Sequence, residues 1–113
     1  MSSNKNLQFD SKCVHAGIGE YEFGSVVPPI YQTSTFKFES AAHGAKLFKG
    51  EEEGFIYTRL KNPTIEAMEN AVAELEEGHK ALGCASGMAA ISTVFAGLLK
   101  QGDHVICSYS VYG

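Results

Sequence analysis

The feature that most constrains the fold is a long apolar segment that lies between two short apolar runs. The runs 80–85 and 104–107 predict buried β-strands, and the segment between them predicts a helix from Gly87 to about Lys100. Strand, helix and strand in this order form a βαβ unit with parallel strands. A helix with so little polar surface is buried in a large protein, and a parallel sheet is covered on both faces. The sequence therefore predicts an α/β fold of which this chain supplies the front portion.

The first half of the chain has a different pattern. One short helix is predicted between the capping residue Ser40 and Gly50, but no other helical period is sustained. The Pro28-Pro29 pair excludes a central strand and favours an extended arm. Its aromatic residues argue against a disordered tail. An arm with so few internal partners is expected to pack on the rest of a larger protein or on another subunit.

A second helix start is predicted at Asn62-Pro63, where a capping side chain precedes a proline at the first helical position. Apolar residues follow at helical spacing, glutamates cover the other side, and Gly78 is expected to close the helix. We therefore expect residues 1–61 to form the arm and residues 62–113 to begin a larger domain.

Composition excludes several classes of protein. The net charge is −4 and Lys and Arg are not clustered, so nucleic acid is not an expected partner. Three widely spaced cysteines argue against a disulfide framework or a metal site and fit a reducing compartment. The polar N-terminus has no signal-peptide core, and no segment approaches the roughly 20 apolar residues that span a membrane. We expect a cytoplasmic protein without metal.

The dipeptide Ser86-Gly87 is a candidate binding site because it joins a predicted strand to a predicted helix. Ligands bind at this end of the strands in open α/β sheets. The first N–H groups of the helix have no internal partner, Gly87 permits close approach, and the Ser86 hydroxyl adds a donor, which together suit a phosphate. The alternative is a plain serine cap followed by a glycine required for packing.

Three other side chains have the chemistry of a cofactor site. Tyr57 and Arg59 are two residues apart, so on an extended segment both side chains point the same way. A guanidinium binds phosphate with two hydrogen bonds and a phenol adds a donor, although a solvated surface pair is equally compatible. Tyr112 follows the second predicted strand, where its ring could stack on a flat cofactor or could be an ordinary loop residue.

Six motifs give the sequence a resemblance to the Cys/Met-metabolism family of pyridoxal-phosphate (PLP) enzymes over nearly its whole length. They are VHAG (14–17), VPPIYQTSTF (27–36), YTRLKNPT (57–64), ASGMAAI (85–91), GDHVI (102–106) and YG (112–113). The tetrapeptide YTRL favours the methionine γ-lyase branch over the cystathionine enzymes. Lys61 departs from the glycine usual in the family, which would cause strain if the backbone there were unusual.

The resemblance implies an N-terminal arm followed by the start of the large domain of a fold-type-I PLP-dependent transferase. It implies that Ser86, Gly87 and Met88 present donors to the cofactor phosphate. It also implies a homotetramer of two active dimers, with the arm as an inter-subunit segment.

The resemblance implies further roles for the three aromatic and cationic candidates. Tyr57 and Arg59 would reach the phosphate in the neighbouring subunit of an active dimer. Tyr112 would stack on the pyridine ring and transfer a proton to the leaving group.

The activity implied is γ-elimination of methionine to methanethiol, 2-oxobutanoate and ammonia, catalysed by a longer chain. The alternatives are an O-acetylhomoserine sulfhydrylase, a cystathionine γ-synthase or γ-lyase, and a truncated, non-catalytic fragment. In the family, the Schiff-base lysine and the aspartate beside the pyridine nitrogen lie downstream of the matched region. We therefore expect these 113 residues alone to be inactive.

Overall fold

The structure is a computed structural model that describes residues 7–112, in two compact units that meet in sequence between Gly83 and Cys84. The first unit contains three α-helices and a short 3-10 helix, and the second contains one α-helix. In chain order they are α1 (Phe9–His15), the 3-10 helix (Glu22–Gly24), α2 (Ala41–Lys49), α3 (Pro63–Leu75) and α4 (Gly87–Leu98).

The division between the units falls later in the chain than the predicted boundary between residues 61 and 62. Residues 1–6 of the predicted arm and Gly113 of the predicted large-domain segment lie outside the described residues. The functional boundaries 1–61 and 62–113 therefore stay a prediction.

Helix α2 confirms the predicted capping. The Ser40 Oγ accepts a hydrogen bond from the His43 N–H at 3.1 Å. At the other end Gly50 adopts a left-handed conformation with φ of 70°, and its N–H donates to the Leu47 carbonyl at 3.1 Å. The Leu47 side chain is the buried apolar residue of the described chain, so the interior of the first unit is small.

Helix α3 also begins as predicted, because the Asn62 side chain accepts a hydrogen bond from the Thr64 N–H at 2.9 Å. Its end differs in one detail. The left-handed residue is Glu77, with φ of 54°, and Gly78 instead donates its N–H to the Ala73 carbonyl at 2.8 Å. This is a Schellman arrangement in which glycine stands one position after the left-handed residue.

The arm has internal partners, contrary to expectation. The Tyr31 N–H donates to the Thr64 Oγ1 at 2.9 Å, and this hydroxyl donates to the Pro29 carbonyl at 2.9 Å. An isolated antiparallel bridge joins Thr35 to Tyr57. Side-chain hydroxyls at the start of a helix therefore bind an arm that the sequence shows only as a proline-containing extended segment.

Helix α1 was not predicted. It packs against α3, and the contact is closed by Gly17, which has φ of 71°. A side chain at this position would clash with the Ala67 carbonyl oxygen and would place its Cβ 2.8 Å from the Ala71 Cβ. The helix has only seven residues, and its apolar residues Phe9 and Val14 are exposed. It therefore has no sustained apolar face that a periodic pattern in the sequence could indicate.

The predicted strands 80–85 and 104–107 are not formed within residues 7–112. A strand needs a neighbouring strand to pair its backbone groups, and the described chain provides none for these runs. The Gly83 N–H instead donates to the Glu69 carboxylate at 2.7 Å, and the Ile106 side chain is fully exposed.

Helix α4 is predicted to be buried in a larger protein, and among the described residues nothing covers it, since none of its residues is buried. Leu98 is 77% exposed and Val94 is 52% exposed, because residues 84–112 contain no second layer to cover the helix. Among the described residues, no helix combines the length and the apolar character needed to span a membrane.

Candidate functional site

The start of α4 has the geometry expected of an anion site. Ser86 is extended, with φ of −160° and ψ of 162°, and its Oγ accepts a hydrogen bond from the Ala89 N–H at 3.1 Å. The N–H groups of Gly87 and Met88 make no hydrogen bond to a described residue. Because Ser86 acts as an acceptor in its cap bond, its hydroxyl hydrogen can still be donated. Three donors therefore surround the positive end of a 12-residue helix.

The packing explanation for Gly87 is not supported by the structure. A Cβ built on this residue would meet nothing within 4 Å. Its φ is not in the left-handed region, so neither backbone strain nor crowding within the described chain requires glycine there. What the missing side chain provides is an open approach to the backbone donors, which is the property that a phosphate site needs.

Tyr57 and Arg59 lie together, but for a different reason than the one predicted from their spacing. Residues 57–60 form a turn, in which the N–H groups of Leu60 and Lys61 both donate to the Tyr57 carbonyl at 2.9 and 3.0 Å. The Arg59 Cζ lies 5.1 Å from the centre of the Tyr57 ring, which is a cation–π contact. The turn and this contact bring the side chains together, not the alternation of an extended strand.

The Arg59 guanidinium is available to an anion. Arg59 is exposed and forms no ion pair with a described residue. With Tyr57 it lines an open groove of about 560 Å³ against the arm residues 31–34. Tyr57 is 37% exposed and Arg59 is exposed, so both side chains are accessible to a ligand in this groove.

Lys61 does not strain the backbone. Among the described residues the non-glycine residues with positive φ are Phe23 and Glu77, so Lys61 is in an ordinary conformation. Its Nζ lies 2.8 Å from a carboxylate oxygen of Glu66 and 5.2 Å from the centre of the Phe55 ring. The departure at this position adds surface contacts without distorting the turn.

Tyr112 is fully exposed and has no hydrogen bond or ring contact with another described residue. The structure therefore shows Ser86, Gly87 and Met88 together at the start of α4 and Tyr57 beside Arg59, and it shows no partner for the Tyr112 side chain among the described residues. No group of three His, Cys, Asp or Glu side chains suited to a metal occurs within residues 7–112.

Sequence reasoning missed how Asn62 and Thr58 support the Tyr57–Arg59 turn. The Asn62 Nδ2 donates to the Thr58 Oγ1 at 3.0 Å and to the Tyr31 carbonyl at 2.9 Å. The Asn-Pro signal identified the cap, but the same signal does not reveal where the amide donors point.

A helix N-terminus open to an anion and an exposed phenol–guanidinium pair are features of enzymes that bind a phosphate-containing cofactor. The family described as "Cys/Met metabolism PLP-dependent enzyme" matches residues 10–113. The chain belongs to this family, whose cofactor is pyridoxal phosphate.

Relatives with curated names include two activities. The L-methionine gamma-lyase of Fusobacterium nucleatum subsp. polymorphum is 47% identical over 109 residues, which are 96% of this chain and 28% of that protein. The O-acetyl-L-homoserine sulfhydrylase of Corynebacterium glutamicum is 40% identical over 106 residues, which are 93% of this chain and 24% of that protein. The chain thus spans about a quarter of the length of these relatives.

The solved structures confirm the predicted fold class. A putative O-acetylhomoserine (thiol)-lyase from Campylobacter jejuni, which contains a pyridoxyl-lysine monophosphate, matches with a TM-score of 0.80 and 33% identity. The match covers 87% of this chain and 24% of that chain. The neighbours are trans-sulfuration enzymes of fold type I, and the α-rich described chain corresponds to their N-terminal part.

The residues at the start of α4 fit the phosphate of this cofactor. The N–H groups of Gly87 and Met88 and the hydroxyl of Ser86 are donors, and the open space at Gly87 admits a ligand to them. A phosphate needs several donors and no opposing carboxylate, and the first turn of α4 contains no acidic residue.

Proposed function

We propose that this chain is part of a PLP-dependent γ-lyase that converts methionine to methanethiol, 2-oxobutanoate and ammonia. The observation that carries the proposal is the open anion site at Ser86, Gly87 and Met88 in a chain of this family. The choice of reaction is supported by relatives from two Fusobacterium nucleatum subspecies, at 47% and 49% identity, that are named L-methionine gamma-lyase.

In this proposal the N–H groups of Gly87 and Met88 and the Ser86 hydroxyl hold the cofactor phosphate. Tyr57 and Arg59 donate to the phosphate bound by the neighbouring subunit of an active dimer. Their exposure and the absence of an ion pair at Arg59 among the described residues support this role.

When bound, the cofactor supplies an electron sink for the carbanion at the substrate Cα. The residues of this chain orient the cofactor and move one proton. The Tyr112 phenol, which is exposed, would lie against the pyridine ring and would donate a proton to the departing sulfur at Cγ.

The proposal extends to assembly and location. We expect a homotetramer of two active dimers, acting on a sulfur amino acid in the cytoplasm. The support is the exposed apolar surface of α4 and the exposed Tyr57–Arg59 pair, both of which suit burial by further polypeptide.

A sulfhydrylase that uses O-acetylhomoserine is the second candidate. The specific observations in its favour are the Corynebacterium glutamicum sulfhydrylase at 40% identity and the Campylobacter jejuni structure with a TM-score of 0.80. A cystathionine γ-synthase or γ-lyase and a non-catalytic fragment remain weaker alternatives.

The test is a substrate comparison with the protein purified from its natural source and supplied with PLP. We expect methanethiol and 2-oxobutanoate from methionine at a rate that exceeds homocysteine formation from O-acetylhomoserine and sulfide. The reverse order would replace the γ-lyase by the sulfhydrylase, and no turnover of either substrate would contradict both.

The same preparation should be weighed under denaturing conditions, and residues 1–113 should be assayed separately. We expect a polypeptide whose mass is several times the 12.2 kDa of these 113 residues. We expect no turnover of methionine by residues 1–113 alone. Methionine turnover by the short chain at the rate of the purified protein would contradict the need for a downstream lysine.

A further inference from the structure

Asn62 is the buried polar side chain of the described residues, with 4% of its surface exposed. We infer that it is a positioning residue that holds the Tyr57–Arg59 turn ready for the cofactor phosphate. The inference rests on the proposed function for its link to the phosphate, and on the hydrogen bonds of the first unit for its link to the turn.

The Asn62 amide does more than cap α3. Its Oδ1 accepts from the Thr64 N–H at 2.9 Å, and this bond alone would satisfy the cap. Its Nδ2 donates to the Tyr31 carbonyl at 2.9 Å and to the Thr58 Oγ1 at 3.0 Å. Both amide hydrogens are therefore used to join the arm and the turn to the start of the helix.

Thr58 is the residue between Tyr57 and Arg59, so holding it fixes the centre of the turn. Its N–H donates to the Ser34 carbonyl at 2.9 Å, and its hydroxyl donates to the Thr33 carbonyl. Since the hydroxyl hydrogen is committed to Thr33, the Thr58 oxygen is an acceptor towards Asn62. The Asn62 amide thus completes a continuous chain of hydrogen bonds from α3 through the turn to the arm.

This support matters because nothing else described restrains the Arg59 side chain apart from the Tyr57 ring at 5.1 Å. A guanidinium on a mobile turn must be ordered when the phosphate binds, and that ordering weakens the affinity. A turn that is already ordered avoids this loss. Asn62 does not itself contact the phosphate in this scheme. It affects the affinity for the phosphate through Thr58, whose position sets the order of the turn.

The variant Asn62→Asp separates the two roles of the side chain. The aspartate keeps an oxygen for the Thr64 N–H, so the cap is preserved. It has no N–H₂ group, so the bond to the Tyr31 carbonyl is lost, and Thr58 can bond the carboxylate only by releasing Thr33. Ser40→Ala is the matched control, because it removes the cap of α2 without touching the turn.

Two measurements on the full-length, cofactor-free protein test the inference. The first is hydrogen exchange of the amides of Thr58, Leu60 and Lys61, which needs no cofactor. We expect faster exchange in Asn62→Asp and unchanged exchange in Ser40→Ala. Unchanged exchange in Asn62→Asp would overturn the inference, whatever the function of the protein.

The second measurement is the PLP dissociation constant, obtained by fluorescence titration. We expect Asn62→Asp to weaken binding about tenfold, the effect of losing one to two net hydrogen bonds. In an Arg59→Ala background the same substitution should have a clearly smaller effect, because Tyr57 is then the only one of these two phosphate donors that the turn still positions. A full additive effect would overturn the inference, since Asn62 would then act independently of Arg59.

The outcomes separate this inference from the proposed function. If Arg59→Ala leaves PLP affinity unchanged, the phosphate role assigned to Arg59 fails, while faster exchange in Asn62→Asp still supports its hold on the turn. If Arg59→Ala weakens binding and Asn62→Asp does not, the phosphate role stands and the positioning role of Asn62 is overturned.

Discussion

The substitution Gly87→Ala separates a binding role for this glycine from a structural one. A Cβ at Gly87 meets nothing within 4 Å, and the residue begins α4 with a φ outside the left-handed region. Alanine therefore fits the folded chain without strain. It also restricts the unfolded chain, so the free energy of unfolding should stay constant or rise by up to about 1 kcal/mol.

The same methyl group occupies the open space through which a phosphate would approach the Gly87 and Met88 N–H groups. Losing one hydrogen bond to a charged phosphate corresponds to about 1.5–3 kcal/mol, so the PLP dissociation constant should rise by about 10- to 150-fold. Fluorescence titration of the cofactor-free protein measures this constant, and urea denaturation measures the stability.

Gly97→Ala is the matched control in the same helix. Its Cβ also meets nothing within 4 Å, but the residue lies near the C-terminal end of α4, away from the free N–H groups. It should raise the free energy of unfolding by about 0.5–1 kcal/mol and leave the PLP affinity unchanged. Equal PLP affinity in both variants would refute the assignment of the helix N-terminus as the phosphate site.

Three further predictions concern the stability of the first unit, measured by urea denaturation. Glu77→Gly should raise the free energy of unfolding by about 1 kcal/mol, because φ of 54° is unfavourable for glutamate, and a decrease would contradict this reasoning. Gly17→Ala should lower the free energy of unfolding by more than about 2 kcal/mol, because φ of 71° is unfavourable for alanine and its Cβ would lie 2.8 Å from the Ala71 Cβ. A neutral result would show that α1 does not pack on α3 as described. Lys61→Gly should lower the free energy of unfolding by about 0.5–1.5 kcal/mol, through loss of the ion pair with Glu66 and added flexibility, whereas an increase would indicate strain at Lys61.

The starts of α2, α3 and α4 could be predicted from the sequence because a cap is a local interaction. Ser40, Asn62 and Ser86 each accept a hydrogen bond from an N–H two or three residues ahead, as their side chains predict. The motifs around them were sufficient to indicate the family and a candidate anion site at the start of α4. These conclusions need no knowledge of what packs against each helix.

The sequence could not show in the same way whether the runs 80–85 and 104–107 pair as strands or what covers α4. Apolar composition indicates that a segment is stabilised by burial. The pairing of a strand and the covering of a helix, however, depend on residues that are distant in sequence. Within residues 7–112 such partners do not occur, so the runs stay unpaired and the helix stays exposed.

The sequence by itself determined the family, the starts of α2, α3 and α4, and the residue types of the candidate cofactor site. Only the tertiary structure decided that the arm is bound to α3, that Glu77 is the left-handed residue, and that a turn brings Tyr57 to Arg59. The physical reason is the range of the interactions. A cap is specified by residues within one helical turn, whereas the Asn62 amide reaches an arm residue 31 positions away, and sequence spacing does not encode that distance.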